Sequence, residues 1–430
     1  MSSALRVGLA GLGTVGGGVV KLLSEHKVLL EARAGRPIVL AGVSALETPK
    51  PLAPLLKGVA WHDDARKLAV SNDIDVMVEL IGGADGVAKQ IAEAALGAGK
   101  SLVCANKALI AKHGVVLATL AEQKKVALQF EAAVAGGIPI LKSIREGLAG
   151  NRFQRVYGIL NGTCNYILTG MEESRRDFAA VLAEAQKLGY AEADPAADVD
   201  GHDAANKLAI LTSLAFGTPV SLESIYVEGI RNVSALDIAF AAELGYRIKL
   251  LAIARMTDHG LEQRVHPCMV RRDKPVAQVM GVLNAVVAEG DFVGQTVFEG
   301  PGAGERATAS AVVSDLVDLA RGRTSHPFSV PVAKLSRLRS AAMDKHVGAY
   351  YVRLIVKDVP GVLAAVARIF AEAEVSIESV LQRGRAPGEN VPLILTTHEC
   401  QEAAMMRVRD RLANTKAVVE KPAFIRIEEL

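Results

Sequence analysis

Along the first third of the chain, short apolar runs alternate with amphipathic stretches. Runs at 5–10, 38–43, 74–80, 101–105 and 126–130 predict five strands, and their near-continuous apolar character is that of parallel strands covered on both faces. Between them lie helical patterns, one carrying Val19, Val20, Leu22 and Leu23 and another spanning 86–96. From about residue 140 the alternation changes. A strand at 156–160 is followed by several helices, further strands at 261–270 and 296–298, and a helix over 305–319. The polar, basic stretch 321–347, with Pro327 and Pro331, predicts a linker and a return helix. Beyond it, a strand at 351–356, a helix at 362–373, strands at 376–382 and 391–397, a helix at 401–412 and a strand at 423–427 make a βαββαβ order. That order predicts a separate ferredoxin-like domain with an exposed sheet edge able to pair with a second copy. The expected division is 1–135, 136–320, 321–347 and 348–430.

Composition narrows the class. With 430 residues, half of them apolar and 4% aromatic, the chain is large enough for two or three cored domains. The net charge is +2 with basic residues dispersed, so no nucleic-acid surface is expected. Cys104, Cys164, Cys268 and Cys400 form no CxxC pair, which favours free thiols in a reducing, cytoplasmic setting. No signal peptide and no membrane-spanning apolar run are evident, so no membrane partner is expected.

The first strand runs directly into Gly11-Leu12-Gly13-Thr14-Val15-Gly16, and a helix follows. A GxGxxG turn in that context is a dinucleotide fingerprint. The first glycine makes the tight turn, the second admits a pyrophosphate, the third lets helix and strand approach, and the helix N-terminus supplies NH groups to the phosphates. The second strand ends at Ser44-Ala45, with neither the acid usual for NAD nor the arginine usual for NADP. The missing acid tilts the reading towards NADP and leaves NAD open. The fourth strand ends at Asn106-Lys107, which places Lys107 where a nicotinamide ring and substrate would meet. A second glycine-rich loop, Gly300-Pro301-Gly302-Ala303-Gly304, opens the 305–319 helix and could accept a phosphate or lie against the cofactor.

The densest chemistry lies at 189–216. Glu192, Asp194, Asp198, Asp200 and Asp203 fall within a dozen residues, and an apolar helix follows. Asp203 and Lys207 are spaced i,i+4, and Ile210 and Leu214 continue their face as a core stripe. A lysine on such a stripe loses hydration unless a carboxylate restores its charge, so an acid-lined loop feeding this helix can hold an ammonium-bearing ligand beside a proton donor. The spacing of Asp198 and Asp200 does not make a calcium loop, and His202 reads as a cap or surface residue.

GLGTVG, ELIGG, ANKALIA, EAAVAGGIPI, NGTCNYIL, GYAEADPAADVDGHDAANKLAIL and GPGAGERATASAV occur in this order, and with them the whole chain resembles the homoserine dehydrogenases, in the bacterial form with a C-terminal ACT domain. The resemblance implies an α/β chain with an N-terminal Rossmann-type NAD(P)-binding domain, an α+β catalytic and dimerisation domain, and a ferredoxin-like ACT regulatory domain. It implies interconversion of L-homoserine and L-aspartate 4-semialdehyde in threonine, methionine and isoleucine biosynthesis. Residue by residue, it makes Lys107 and Lys207 the active-site lysines. Glu192, Asp198 and Asp203 become the substrate-binding acids, and oxygens on the segment of Glu131, Val134, Gly136 and Ile138 become the ligands of a monovalent cation, sodium or potassium. It implies threonine as an effector at the ACT domain and a homodimer or homotetramer. Two rivals remain: an aspartate-semialdehyde dehydrogenase using Cys164 as nucleophile, and a non-catalytic dinucleotide and amino-acid sensor.

Overall fold

The computed structural model describes residues 3–383 and 388–430, which form two compact units, each assembled from separated stretches of chain. The first unit comprises 1–162, 203–225 and 283–338; the second comprises 163–202, 226–282 and 339–430.

In the first unit, strands β1 (Leu5–Ala10), β2 (Ile38–Ser44), β3 (Ala60–Trp61), β4 (Val76–Glu79), β5 (Ser101–Cys104) and β6 (Leu128–Gln129) form one sheet in the order β3-β2-β1-β4-β5-β6. Every pairing in it is parallel. This is the doubly wound order, and its reversal between β1 and β4 is where such sheets open a crevice at their carboxyl ends. The helices Thr14–Glu25 and Glu305–Ala320 pack on it through Val19, Val20, Leu23, Val312 and Leu316, in one core with Leu5, Val7 and Val78. The two helices approach so closely that a Cβ on Gly18 would lie 2.7 Å from the Glu305 carbonyl oxygen. In the same unit Leu283–Gly290 lies between Phe153–Ile159 and Gly294–Pro301 and is antiparallel to both.

The second unit contains a long hairpin, Tyr246–Thr257 with Gly260–Arg271, turned through Gly260 at φ 117°. The far edge of Gly260–Arg271 is shared by Tyr226–Val227 and by Ala423–Glu428, both parallel to it. From there the C-terminal sheet continues through Val347–Lys357, Asn390–Thr397 and Ile377–Gln382, with helices Val362–Glu372 and Glu402–Ala413 on its face.

The βαββαβ reading and the five N-terminal strands hold, with ends shifted by at most four residues. Three expectations change. Tyr246–Thr257 and Leu283–Gly290 are strands that the pattern did not reveal, because their apolar runs, buried on both faces, do not alternate. The 321–347 connection carries two short 3-10 turns, Val332–Lys334 and Met343–Lys345, and no return helix. The C-terminal sheet does not stand alone: its strand Ala423–Glu428 also pairs with Cys268–Val270 of the same chain. Among the described residues, Ile377–Gln382 is its remaining edge.

Candidate active site

The GxGxxG turn occupies the end of β1, at the reversal of strand order. Gly11 sits at φ 98°, and a Cβ there would lie 2.7 Å from the Leu80 carbonyl oxygen. A Cβ on Gly16 would fall 1.9 Å from the Gly11 carbonyl oxygen, so the turn closes only without side chains. Gly13 is different: a Cβ there would meet nothing within 4 Å. Two glycines therefore serve the turn itself, and the third leaves backbone open on the crevice side, as the approach of a pyrophosphate requires. Gly13 caps the helix Thr14–Glu25 without a side-chain hydrogen bond, which leaves first-turn NH groups for an anion. Leu12, Thr14 and Val15 lie in the same turn.

At the ends of β4 and β5, a buried carboxylate organises the neighbouring loop. Glu79 has no exposed surface; its Oε1 accepts from the NH groups of Ile81 (2.7 Å) and Gly82 (3.2 Å), and its Oε2 accepts from the Cys104 thiol at 3.2 Å. Burial and the neighbouring Glu79 push that thiol well above its ordinary pKa. Asn106 donates to the Gly83 carbonyl at 2.6 Å and caps the helix Lys107–Lys124 by accepting from Leu109 NH at 3.1 Å. This cap fixes Lys107, the first residue of that helix.

Lys107 and Lys207 converge on one carboxylate. Asp203 Oδ1 lies 2.7 Å from Lys107 Nζ, and Oδ2 lies 2.6 Å from Lys207 Nζ. The Asn161 amide donates to Oδ2 at 2.9 Å, and Lys207 also donates to the Leu160 carbonyl at 2.7 Å. Asp203 and Lys207 side chains are 8% and 10% exposed, whereas Lys107 is 42% exposed. Burial alone would push the Asp203 carboxyl up, but Lys207 and Lys107 outweigh it and hold the carboxyl far below its ordinary value. Two ammonium groups on one carboxylate leave the cluster with one net positive charge, which suits a developing oxyanion.

The other expected residues divide between the units. Glu192 and Asp198 lie in the second unit: Glu192 is exposed, and Asp198 is half-buried in the short helix Ala196–Val199. His202 is exposed at the first position of the helix His202–Phe216, as a surface residue should be. Cys164 has no exposed surface, and its thiol donates to the Asp198 carbonyl at 3.2 Å, which leaves the rival dehydrogenase without an accessible nucleophile.

Glu131, Val134, Gly136 and Ile138 line a buried segment of the first unit, turned by Ala135 and Gly136 at φ 55° and 48°. The Glu131 carboxylate accepts from the NH groups of Leu141 (2.9 Å) and Lys142 (2.8 Å), so its carbonyl is the oxygen left to a cation. That carbonyl takes only a long 3.4 Å bond from Val134 NH. The segment thus offers backbone carbonyls on a tight turn, of which that of Ile138 already accepts from Ile140 NH at 2.8 Å. Burial first, and then Asp315, push the Glu131 carboxyl up to about 7. Gly302 is buried, and a Cβ there would lie 2.1 Å from the Asn284 side chain, while its carbonyl oxygen bounds the space at Gly136. Close packing thus accounts for the glycine at 302.

Sequence reasoning passed over Glu79 and Asn161. Both stand at strand ends inside motifs already singled out, but a lone acid or amide gives no sign of the loop or lysine it will hold.

Comparison with known proteins adds the following. A family model described as "Homoserine dehydrogenase" matches residues 139–317, "Homoserine dehydrogenase, NAD binding domain" matches 11–131, and "ACT domain" matches 350–411. The chain is 46% identical over 437 residues to a homoserine dehydrogenase of Pseudomonas aeruginosa, covering 99% of each chain. A crystal structure of a homoserine dehydrogenase from Thiobacillus denitrificans superposes with a TM-score of 0.93 at 42% identity, covering 99% of each chain. A hyperthermophilic archaeal homoserine dehydrogenase in complex with NADPH matches with a TM-score of 0.63 at 26% identity, over 74% of this chain and 97% of that one. The crevice is that of a nicotinamide-cofactor domain. Among the described residues no helix is long and apolar enough to cross a membrane.

Proposed function

The chain belongs to the homoserine dehydrogenase family, and from that premise we propose that it interconverts L-homoserine and L-aspartate 4-semialdehyde. The observation that carries the reading is the Asp203 carboxylate shared by Lys107 and Lys207. When bound, the nicotinamide delivers or accepts the hydride. As the aldehyde carbon is reduced, its oxygen becomes an alkoxide and needs a proton. An ammonium has three N–H donors; Lys207 directs one to Asp203 and one to Leu160, and the third serves the substrate oxygen. Asp203 and Asn161 keep Lys207 oriented, and the more exposed Lys107 holds the substrate carboxylate or the ring–substrate geometry. Glu192 and Asp198 hold the substrate ammonium.

The finer assignments follow the same premise. Ser44-Ala45 carry no acid to take a ribose hydroxyl, which favours NADPH over NADH. The carbonyls of Glu131, Val134, Gly136 and Ile138 hold a sodium or potassium ion that fixes the turn after β6. Threonine acts at the C-terminal domain, near Asp358–Gly361, and the protein works in the cytoplasm as a homodimer or homotetramer. The direct test follows nicotinamide absorbance with the purified protein and L-homoserine, with NADP and NAD in parallel. Turnover with NADP and slower turnover with NAD is the expected result; binding of the dinucleotide without any turnover would overturn the enzymatic reading in favour of a sensor.

A further inference from the structure

The second unit holds a cavity of about 310 Å³ whose lining includes none of the expected site residues, a volume at the lower end for small-molecule sites. Its deep wall is a locked ion-pair network. Arg426 is 6% exposed and donates to both carboxylate oxygens of Glu402 (2.9 and 2.5 Å) and to Glu228 Oε2 (2.9 Å). Arg353 is held in a two-point pair by the buried Asp237 at 2.7 and 3.2 Å. Those two charges are satisfied within the protein. At the mouth the balance differs. Lys421 is exposed, and Arg409 is 47% exposed and pairs with its still more exposed neighbour Asp410. Glu228 receives Arg426 and the Tyr226 hydroxyl on Oε2 alone, so Oε1 is the atom it presents. Val233, Met406 and Ile425 also line the cavity. Positive groups, one carboxylate oxygen and a small apolar wall complement a zwitterion with a compact side chain.

The wall that carries Glu228 leads to the acidic stretch. Glu228 NH donates to the Val265 carbonyl at 2.8 Å, and Ile230 NH donates to the Val199 carbonyl at 2.8 Å. A Cβ on Gly229 would lie 2.2 Å from that Val199 oxygen and 2.5 Å from Asp200 Cα, so wall and stretch are in backbone contact. Arg231 pairs with Asp200 at 2.5 Å. A displacement of Glu228–Arg231 therefore reaches Asp198 through rigid backbone rather than through mobile side chains.

We infer that this cavity is a binding site for a small L-α-amino acid, separate from the Asp358–Gly361 turn, and that its occupation alters substrate affinity through Val199 and Asp200. The binding arm stands on the cavity alone; the transmission arm rests on the placing of Asp198 at the substrate. The test uses full-length protein and calorimetry with each of the twenty standard L-amino acids, succinate and inorganic phosphate as separate probes at millimolar concentration. At least one amino acid binds to the wild type, roughly tenfold or more weakly to Lys421→Glu and Glu228→Gln, and unchanged to Asp358→Ala. The same amino acid shifts the KM for homoserine in the wild type and not in Lys421→Glu, whose circular dichroism and unliganded kcat stay those of the wild type. Because Lys421 is exposed, that variant keeps the test valid if Glu228→Gln fails to fold. Absence of any amino-acid binding, phosphate or succinate binding as tightly as any amino acid, or binding lost in Asp358→Ala but kept in Lys421→Glu would each overturn the site. Binding without a KM shift would overturn the transmission. A wild type that binds the amino acid but never turns homoserine over would overturn the enzymatic reading and leave the site standing.

Discussion

Asp203 holds two lysines at opposite oxygens, and each lysine has a different exposure and so a different task. If Lys207 protonates the forming alkoxide, Lys207→Ala removes an interaction made chiefly in the transition state. The expected loss is in kcat, by ~10²–10⁴-fold, with cofactor affinity unchanged. Near-normal turnover with a lowered melting temperature would make Lys207 a structural partner of Asp203. Lys249 is a second buried lysine, in the second unit, and the proposed chemistry does not use it. Its Nζ donates to Asn165 Oδ1 at 2.8 Å and to the Val279 carbonyl at 2.5 Å, and burial, followed by Arg247, lowers its pKa to about 7. A depressed folded-state pKa contributes stability that is present above the unfolded value of 10.5 and lost as pH falls through about 7. Across that window each pH unit changes stability by up to ~1.4 kcal/mol. Unfolding midpoints measured from pH 7 to 10 should rise for the wild type and flatten for Lys249→Met. That variant should also be weaker by about 1–3 kcal/mol at pH 10, because two buried acceptors lose their donor.

The turn between β1 and its helix distinguishes fold from ligand within six residues. Gly16→Ala puts a Cβ 1.9 Å from the Gly11 carbonyl oxygen, so the turn must open and the helix Thr14–Glu25 must leave its place. Both melting temperature and dinucleotide binding should fall. Gly13→Asp meets no protein atom within 4 Å, so stability should stay near that of the wild type, while a carboxylate set against the pyrophosphate abolishes binding. A fluorescence titration with NADPH beside a thermal melt separates the two variants. Tight binding by Gly13→Asp would remove the pyrophosphate from this turn.

At the scale of the whole molecule, the C-terminal domain is built into the second unit rather than appended to it. Ala423–Glu428 extends the strand Gly260–Arg271, and Glu428 supplies both carboxylate oxygens to Arg264, which has no exposed surface. Removing everything after residue 347 strips that strand of its neighbour and leaves Arg264 with Glu262 as its carboxylate partner, beside the His266 ring. Loss of one partner from a buried pair costs about 3–5 kcal/mol, and the broken sheet edge adds to it. The truncated protein should therefore melt well below the full chain or aggregate, as light scattering during a thermal ramp would register. A truncated protein with an unchanged melting temperature would show that the junction contributes little.

What the chain declares locally was legible in its residues. GxGxxG after an apolar run dictates a turn that only glycine can make, and Asp203 with Lys207 at i,i+4 dictates a shared helix face; both follow from backbone geometry within a few residues. Family motifs extended the reading to Lys107, which local spacing could not tie to Asp203. What tertiary structure decided lies where burial overrides period. Tyr246–Thr257 is a strand because both its faces are covered, although its Leu, Ala, Lys and Arg content suits a helix equally well. The same holds for the parallel seam of Cys268–Val270 with Arg426–Glu428 and for the hold of Asn161 on Asp203. Each joins residues far apart in sequence, and a hydrogen bond or buried pair of that kind leaves no periodic trace in the chain, because its partner is chosen only when the core closes around it.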